Sequence, residues 1–298
     1  MSILAIVQDE NQEPFYLDFL KFADRKLILV MRSFGLLLLT LFSSVLMAQQ
    51  ETQEVKSRKG EVFLYWGWNR SMYSTSNIHL SGDDYDFTIE NTVAHDRQTA
   101  FSAYNYFHPL RITIPQFNAR IGYFISNNYS ISIGADHMKY VVDSIQKVNI
   151  NGFIENSCTD YDGVYEGESI DLASDLLLFE HTDGLNYINI ELRRTDEFWR
   201  RNKISLDLSE GLGFGIMIPK TNATLLNNAR HDDFHLAGYG FSTVGAAQLN
   251  FGKYFFVSSE LKAGFIHMPD IRTTMYAEDK ASQYFFFGQA NIVFGLRF

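Results

Sequence analysis

From residue 61 to the C-terminus the chain repeats one pattern, in which apolar and polar residues alternate with a period of two. That period belongs to a β-strand whose two faces meet different surroundings. The last segment is the clearest. Phe286, Gly288, Ala290, Ile292, Phe294, Leu296 and Phe298 form one face, and Phe287, Gln289, Asn291, Val293, Gly295 and Arg297 form the other. The pattern recurs in Val62–Trp68, Phe117–Ile125, Tyr129–Ala135, Ile188–Leu192, Ile204–Leu208, Tyr239–Leu249 and Val257–Phe265. It predicts eight strands, at 61–70, 111–125, 129–142, 176–193, 203–217, 237–250, 254–267 and 284–298. Past Ala48 no apolar run reaches the roughly 20 residues that a membrane-crossing helix needs.

The connections separate a sandwich from a barrel. Tight turns at Ser126–Asn128 and Phe251–Lys253 and a medium connection at Arg194–Asn202 fall on one side. Long loops at 71–110, 143–175, 218–236 and 268–283 fall on the other, which is the plan of an outer-membrane barrel. Backbone N–H and C=O groups in hydrocarbon must pair with each other, so such a sheet must close on itself. The expected fold is an all-β, eight-stranded antiparallel up-and-down transmembrane β-barrel with long extracellular loops and both ends of the sheet on the short-turn side. The strand-like segment 84–94 is placed in the first long loop, as a continuation of the sheet above the membrane. Glu210, His137 and Lys139 fall on the apolar parity of their strands. A bulge near each is expected to shift the register and turn them inward.

The N-terminus supplies the compartment. Ser33–Met47 is continuously apolar and has the length of a secretory h-region, with Arg32 before it and Ala48 after it. Residues 1–30 are long and acidic for an n-region, so Met31 is the expected start. Residues 1–48 are read as N-terminal extension and signal peptide, and 49–298 as the barrel. A single cysteine excludes a disulfide scaffold and a cysteine-based zinc module. The net charge of −10 argues against nucleic acid, which is bound by displacing counterions with basic groups.

The signal-like 31–48, the alternating strands and the closing NIVFGLRF with its terminal Phe298 resemble small bacterial outer-membrane β-barrels. The segments GWNRSMYS, IPQFNARIGYF, GADHMKYV and FEHTDGLNYI are similar to those of a group of Gram-negative barrels that carries no assigned reaction. The resemblance implies the cell outer membrane of a Gram-negative bacterium, contact with membrane lipid and lipopolysaccharide, and assembly by the barrel-assembly machinery through Phe298. It identifies architecture rather than activity.

An eight-stranded barrel is only wide enough for side chains to fill. The inward parity holds Arg120, Glu191, Arg193, Asp207, Glu260, Lys262 and Arg297, opposite charges that are expected to pair into a rigid plug. All eight histidines (His79, His95, His108, His137, His181, His231, His235 and His267) map to long loops or upper strand ends. Several neighbour carboxylates, and imidazole beside carboxylate suits a metal ligand or a general base with its orienting partner. His137 and His181, with Asp136, Glu180 and Asp183, are the candidates for a hydrolytic site. His231, His235, Asp232 and Asp233 are the candidates for a metal site. Neither HExxH nor GxSxG is present. Residues 143–175 hold Asp143, Glu155, Asp160, Asp162, Glu166, Glu168, Asp171 and Asp175 against Lys147. Such a loop suits a solvated surface, a divalent cation shared with lipopolysaccharide phosphates, or a basic partner, and no other cofactor is expected. The leading reading is a monomeric, non-enzymatic surface protein with a structural or loop-mediated ligand-binding role. A lipid-modifying hydrolase and a narrow channel are the alternatives.

Overall fold

The computed structural model describes residues 57–108, 110–228 and 231–298. The signal segment and Met31 lie outside the described residues. In chain order the elements are β1 (Val62–Tyr73), β2 (Ser76–Gly82), β3 (Tyr85–Thr92), β4 (Ala94–His95), the short helix α1 (Ala103–Phe107), β5 (Phe117–Phe124), β6 (Tyr129–Val142), β7 (Lys147–Ile154) and β8 (Gly163–Asp171). Then follow β9 (Leu177–Arg201), β10 (Ile204–Met217), β11 (Lys220–Leu225), β12 (His231–Phe234), β13 (Gly238–Phe251), β14 (Phe255–Arg272) and β15 (Lys280–Arg297).

Eight of these strands close a ring, in the order β1, β5, β6, β9, β10, β13, β14, β15 and back to β1, each antiparallel to the next. Closure runs from Phe63 opposite Arg297 to Tyr73 opposite Phe287, so both ends of the described sheet lie at the short-turn end. The alternation has a physical outcome on every strand. Leu64, Ile121, Ile133, Ile190, Phe214, Phe241, Leu261 and Ile292 point outward and are exposed, while the residues on either side of them are buried, Gly134 partly. An apolar belt around the whole circumference, with charge inside, is the surface of a barrel that spans a membrane.

The long connections also form sheet. β2, β3, β7 and β8 extend the sheet from the upper end of β15, β11 adds to the upper end of β9 with β12 beside it, and β4 pairs with the top of β6. The 84–94 segment becomes β3, an inner strand of this extension. Together they make a cap above the ring with an apolar core. Ile78, Leu80, Phe87, Ile89, Tyr140, Ile150, Ile154, Leu176, Leu225, Ile271 and Phe285 are buried in it.

Two expectations need correcting. The 194–202 connection is no loop. β9 continues as strand to Arg201 and turns into β10 through Asn202, whose φ of 54° suits a tight turn. Bulges do occur, between Leu206 and Asp207 and between Met138 and Tyr140, yet Glu210, His137 and Lys139 stay on the outer face. In both cases the additional residues belong to β9 (Phe198 in one, Thr182–Gly184 in the other), and an insertion in a partner leaves the alternation of β6 and β10 unchanged. Glu210 is tolerated there because it lies opposite Arg194, and Arg194 lies opposite Tyr129 at the short-turn rim of the wall.

At that end two rings lie across glycine backbone. A Cβ on Gly122 would meet Phe63 at 2.2 Å, and one on Gly295 would meet Phe256 at 2.1 Å. Phe63, Tyr65, Phe124, Phe256 and Val293 form a compact apolar layer there. Gly295→Val is therefore expected to cost about 1–3 kcal/mol of stability through overpacking. Urea unfolding in detergent micelles, followed by the heat-dependent shift in gel migration, measures it.

Candidate functional site

Above this aromatic layer the interior turns polar. Arg120 from β5, Asp136 from β6, Glu191 and Arg193 from β9, and Glu260 and Lys262 from β14 all point inward and are buried, three cations against three anions. Glu191 sits at the centre. It meets Arg120 at 2.8 Å, Arg193 at 2.6 Å and Lys262 at 2.7 Å. Glu260 pairs with Arg193 at 2.7 Å, and Lys262 also bonds Asp136. Neutral groups complete the shell. The Tyr65 hydroxyl accepts from Arg120 at 3.1 Å and Arg193 at 3.0 Å and donates to Glu260 at 3.3 Å. Asp136 accepts from Asn118 at 2.5 Å and from Asn189 at 3.1 Å. Asp207 and Arg297 stand apart, at the short-turn end. There Asp207 bonds Arg58 at 3.0 Å, with Arg297 at 3.9 Å. The alternation shows which face these residues occupy. It does not show that Tyr65, Asn118, Asn189 and Arg58 join them, because uncharged or N-terminal partners give no signal of their own.

The histidines divide by face. Asp136 turns inward to Lys262, whereas His137 stays on the outer face, stacked on Phe117 at 5.0 Å and bonded through Nδ1 to Asn186 at 2.8 Å. His181 is fully buried in the cap core between Tyr140 and Phe179, with Nδ1 at 3.1 Å from the Thr221 hydroxyl. Glu180 and Asp183 lie outside this core, bonded to Arg97 at 2.8 Å and Lys220 at 3.0 Å respectively. Neither histidine is bonded to the carboxylate beside it in sequence, since neighbours in a strand point to opposite faces. His–carboxylate pairs form between strands instead: His79 with Asp86 across the β2–β3 hairpin at 2.9 Å, His235 with Asp270 at 3.0 Å, and His95 with Asp143. In the 231–235 segment Asp232 turns to Lys220 at 3.3 Å while His235 turns to Asp270, and His231 and Asp233 bring no third ligand. Among the described residues no three His, Cys, Asp or Glu side chains converge on a point that would hold a metal ion.

One cleft combines several of these groups. It has a volume of about 470 Å³ and lies on the outer face of the cap, where β4, β6, β9 and β11 meet. Glu180 forms its polar floor, held by Arg97, by Asn222 at 2.7 Å and by Thr182 at 3.0 Å. His95 and Asp143 stand together at one side, and Val141, Leu178 and Ile145 supply apolar wall. Each ionisable side chain in the cleft already has a bonding partner.

No family profile and no curated relative matches the sequence. Solved structures that resemble it include outer-membrane proteins. OprG from Pseudomonas aeruginosa is 10% identical, with a TM-score of 0.37 over 81% of this chain and 97% of that one. Ail, the attachment invasion locus protein of Yersinia pestis, is 11% identical, with a TM-score of 0.28 over 80% and 99%. The outer membrane protease OmpT of Escherichia coli is 9% identical, with a TM-score of 0.29 over 83% and 99%. The fold assignment rests on the closed ring itself.

Two predictions follow from this geometry. Glu191→Leu leaves Arg120, Arg193 and Lys262 sharing too few anions in a buried space, and is expected to cost about 3–5 kcal/mol in the same urea assay. His181 is buried away from any charge, and that burial pushes its pKa down to about 3. The unfolded chain binds this proton near pH 6.5 and the folded cap does not. The stabilisation is therefore full above pH 6.5 and is lost progressively as pH falls toward 3. Hydrogen exchange of cap amides between pH 7 and pH 4, after correction for intrinsic rates, should show opening that grows with acidity in the wild type. His181→Leu should flatten that trend.

Proposed function

We propose that this chain is an outer-membrane surface protein, a sealed barrel that carries a rigid β-cap whose flank cleft binds a ligand from outside the cell. The observation that carries the reading is the filling of the axis. From the short-turn end upward the interior passes from the Phe63–Phe256 aromatic layer to the Glu191 ion network and then to Tyr187, Phe287 and the apolar core of the cap. Solute passage would require breaking buried ion pairs and parting an apolar core, which favours binding over transport. The export signal read in residues 31–48 and the lipid-facing belt support the outer membrane as the location.

The chemistry of the cleft points to a neutral, hydroxyl-rich ligand such as a saccharide. An ionic ligand would have to displace Arg97 from Glu180 or His95 from Asp143, whereas hydroxyl groups add to lone pairs and N–H groups that the ion pairs leave open. Leu178 and Ile145 offer apolar surface for the C–H face of a sugar ring.

Folded protein in planar bilayers should give no resolved conductance steps, and steady single-channel currents would contradict the sealed axis. On an array of neutral glycans the detergent-solubilised protein should retain at least one ligand, with affinity falling about tenfold or more in Arg97→Ala. Retention unchanged by that substitution would move the ligand elsewhere.

A further inference from the structure

The described residues from Gln98 to Gln116 belong to the first long connection, yet they do not rise into the cap. They return along the outside of the wall. Trp68, near the top of the apolar belt on β1, packs against Tyr106 at 5.7 Å and Phe107 at 5.4 Å between ring centres, while its other neighbours are Trp66 and the outward-facing Phe294. Backbone bonds hold the strap closed, with Tyr106 and Asn105 donating to the carbonyl of Ser102 and the Asn69 amide meeting the carbonyl of Gln116. Side chains fasten it as well. The Tyr106 hydroxyl bonds the Thr99 carbonyl at 2.8 Å, and Lys139 reaches Thr99 at 3.2 Å.

The strap turns its large apolar groups away from the protein. Phe101 is 76% exposed and Leu110 87%, with Tyr104, Phe107 and Ile114 exposed between and beside them. Five such side chains on a 14-residue stretch would be a costly surface in water. They lie where the wall itself falls short. β5 has eight residues, and at about 3.4 Å each and a tilt near 40° it covers roughly 20 Å of height, less than the ≈25 Å of a barrel's apolar band. Above it, the outer face of the neighbouring strands turns polar, with Arg70 on β1 and His137 and Lys139 on β6. On the far side β15 keeps outward aromatics up to Phe286 and Tyr284.

We infer that residues 101–108 and 110–114 form a lipid-immersed strap that completes the apolar belt over β1, β5 and β6, its occupant being the acyl chains of the outer leaflet. The strap is continuous with a surface that already faces hydrocarbon, through Trp68. Arg111 fits the same role. Its guanidinium lies 4.4 Å above the Tyr104 ring and bonds Asn105 at 3.4 Å, an aromatic and basic pairing suited to the level of lipid headgroups. The inference rests on the membrane-barrel reading, so its test must separate the two.

Nitroxide labels report depth through collisions with oxygen, which partitions into lipid, and with a water-soluble nickel chelate. Wild-type protein labelled at the exposed Cys158, in the turn between β7 and β8, is the aqueous reference. In a Cys158→Ser background, Phe241→Cys marks the apolar wall, and Leu110→Cys and Phe101→Cys mark the strap. Each variant is checked for folding by its heat-dependent migration and reconstituted in dioleoylphosphatidylcholine vesicles. Labels at 110 and 101 should behave as 241 does rather than as 158 does, with oxygen collisions exceeding nickel collisions and the reverse at 158. Nickel access at 110 and 101 with protection at 241 would overturn the strap and leave the barrel intact. Shielding of 110 and 101 from both reagents would mean that protein covers the strap, which also overturns the inference. Nickel access at 241 would overturn the membrane barrel and the strap together.

Discussion

Everything in this molecule depends on the pairing of β1 with β15. In hydrocarbon an unpaired N–H or C=O has no water to turn to, and a sheet with two free edges would leave two rows of them. Eleven facing residues, from Phe63 against Arg297 to Tyr73 against Phe287, remove both edges at once. Once the ring is closed each side chain has only two destinations, lipid or lumen. The radius of eight strands then decides how much the lumen can hold.

That narrow lumen explains why the interior is charged without being open. Three cations and three anions, each bonded to more than one partner, fill a space that apolar side chains fill at either end. Buried ion pairs are not by themselves a large source of stability, because desolvation offsets attraction. Their value here is specificity. A strand that slipped by one residue would place Glu191 or Arg193 in lipid and Leu192 among the ions, so the network penalises every odd-numbered slip. The cap adds a second constraint, since its apolar core forms only when β2, β3 and β7 extend from β15 while β11 extends from β9.

The parts of the fold legible in the sequence are those written in the period of two. The eight ring strands and the inward face holding Glu191, Arg193, Glu260 and Lys262 follow from alternation, because each strand had to satisfy two solvents at once. What alternation does not encode is pairing across distance. His95 meets Asp143 and Arg97 meets Glu180 through the fold of the cap, and no spacing announces them. The adjacent pairs that drew attention in the sequence, Asp136 with His137 and Glu180 with His181, are split by the strand geometry that made the fold readable. The continuation of β9 to Arg201 was hidden for a related reason. The bulge at Phe198 sets two aromatics side by side in sequence, so the alternation breaks there while the backbone pairing continues.

Closure of the ring is tested most directly by a cross-link between its first and last strands. Arg70 and Ala290 face each other across that seam, and directly opposed residues of an antiparallel pair lie at a separation that a disulfide can bridge. In a Cys158→Ser background, Arg70→Cys with Ala290→Cys should oxidise within one chain in native membranes, seen as loss of both free thiols without a dimer on a non-reducing gel. Thiols that stay free, or that link only between chains, would show that β1 and β15 do not meet and that the sheet is open.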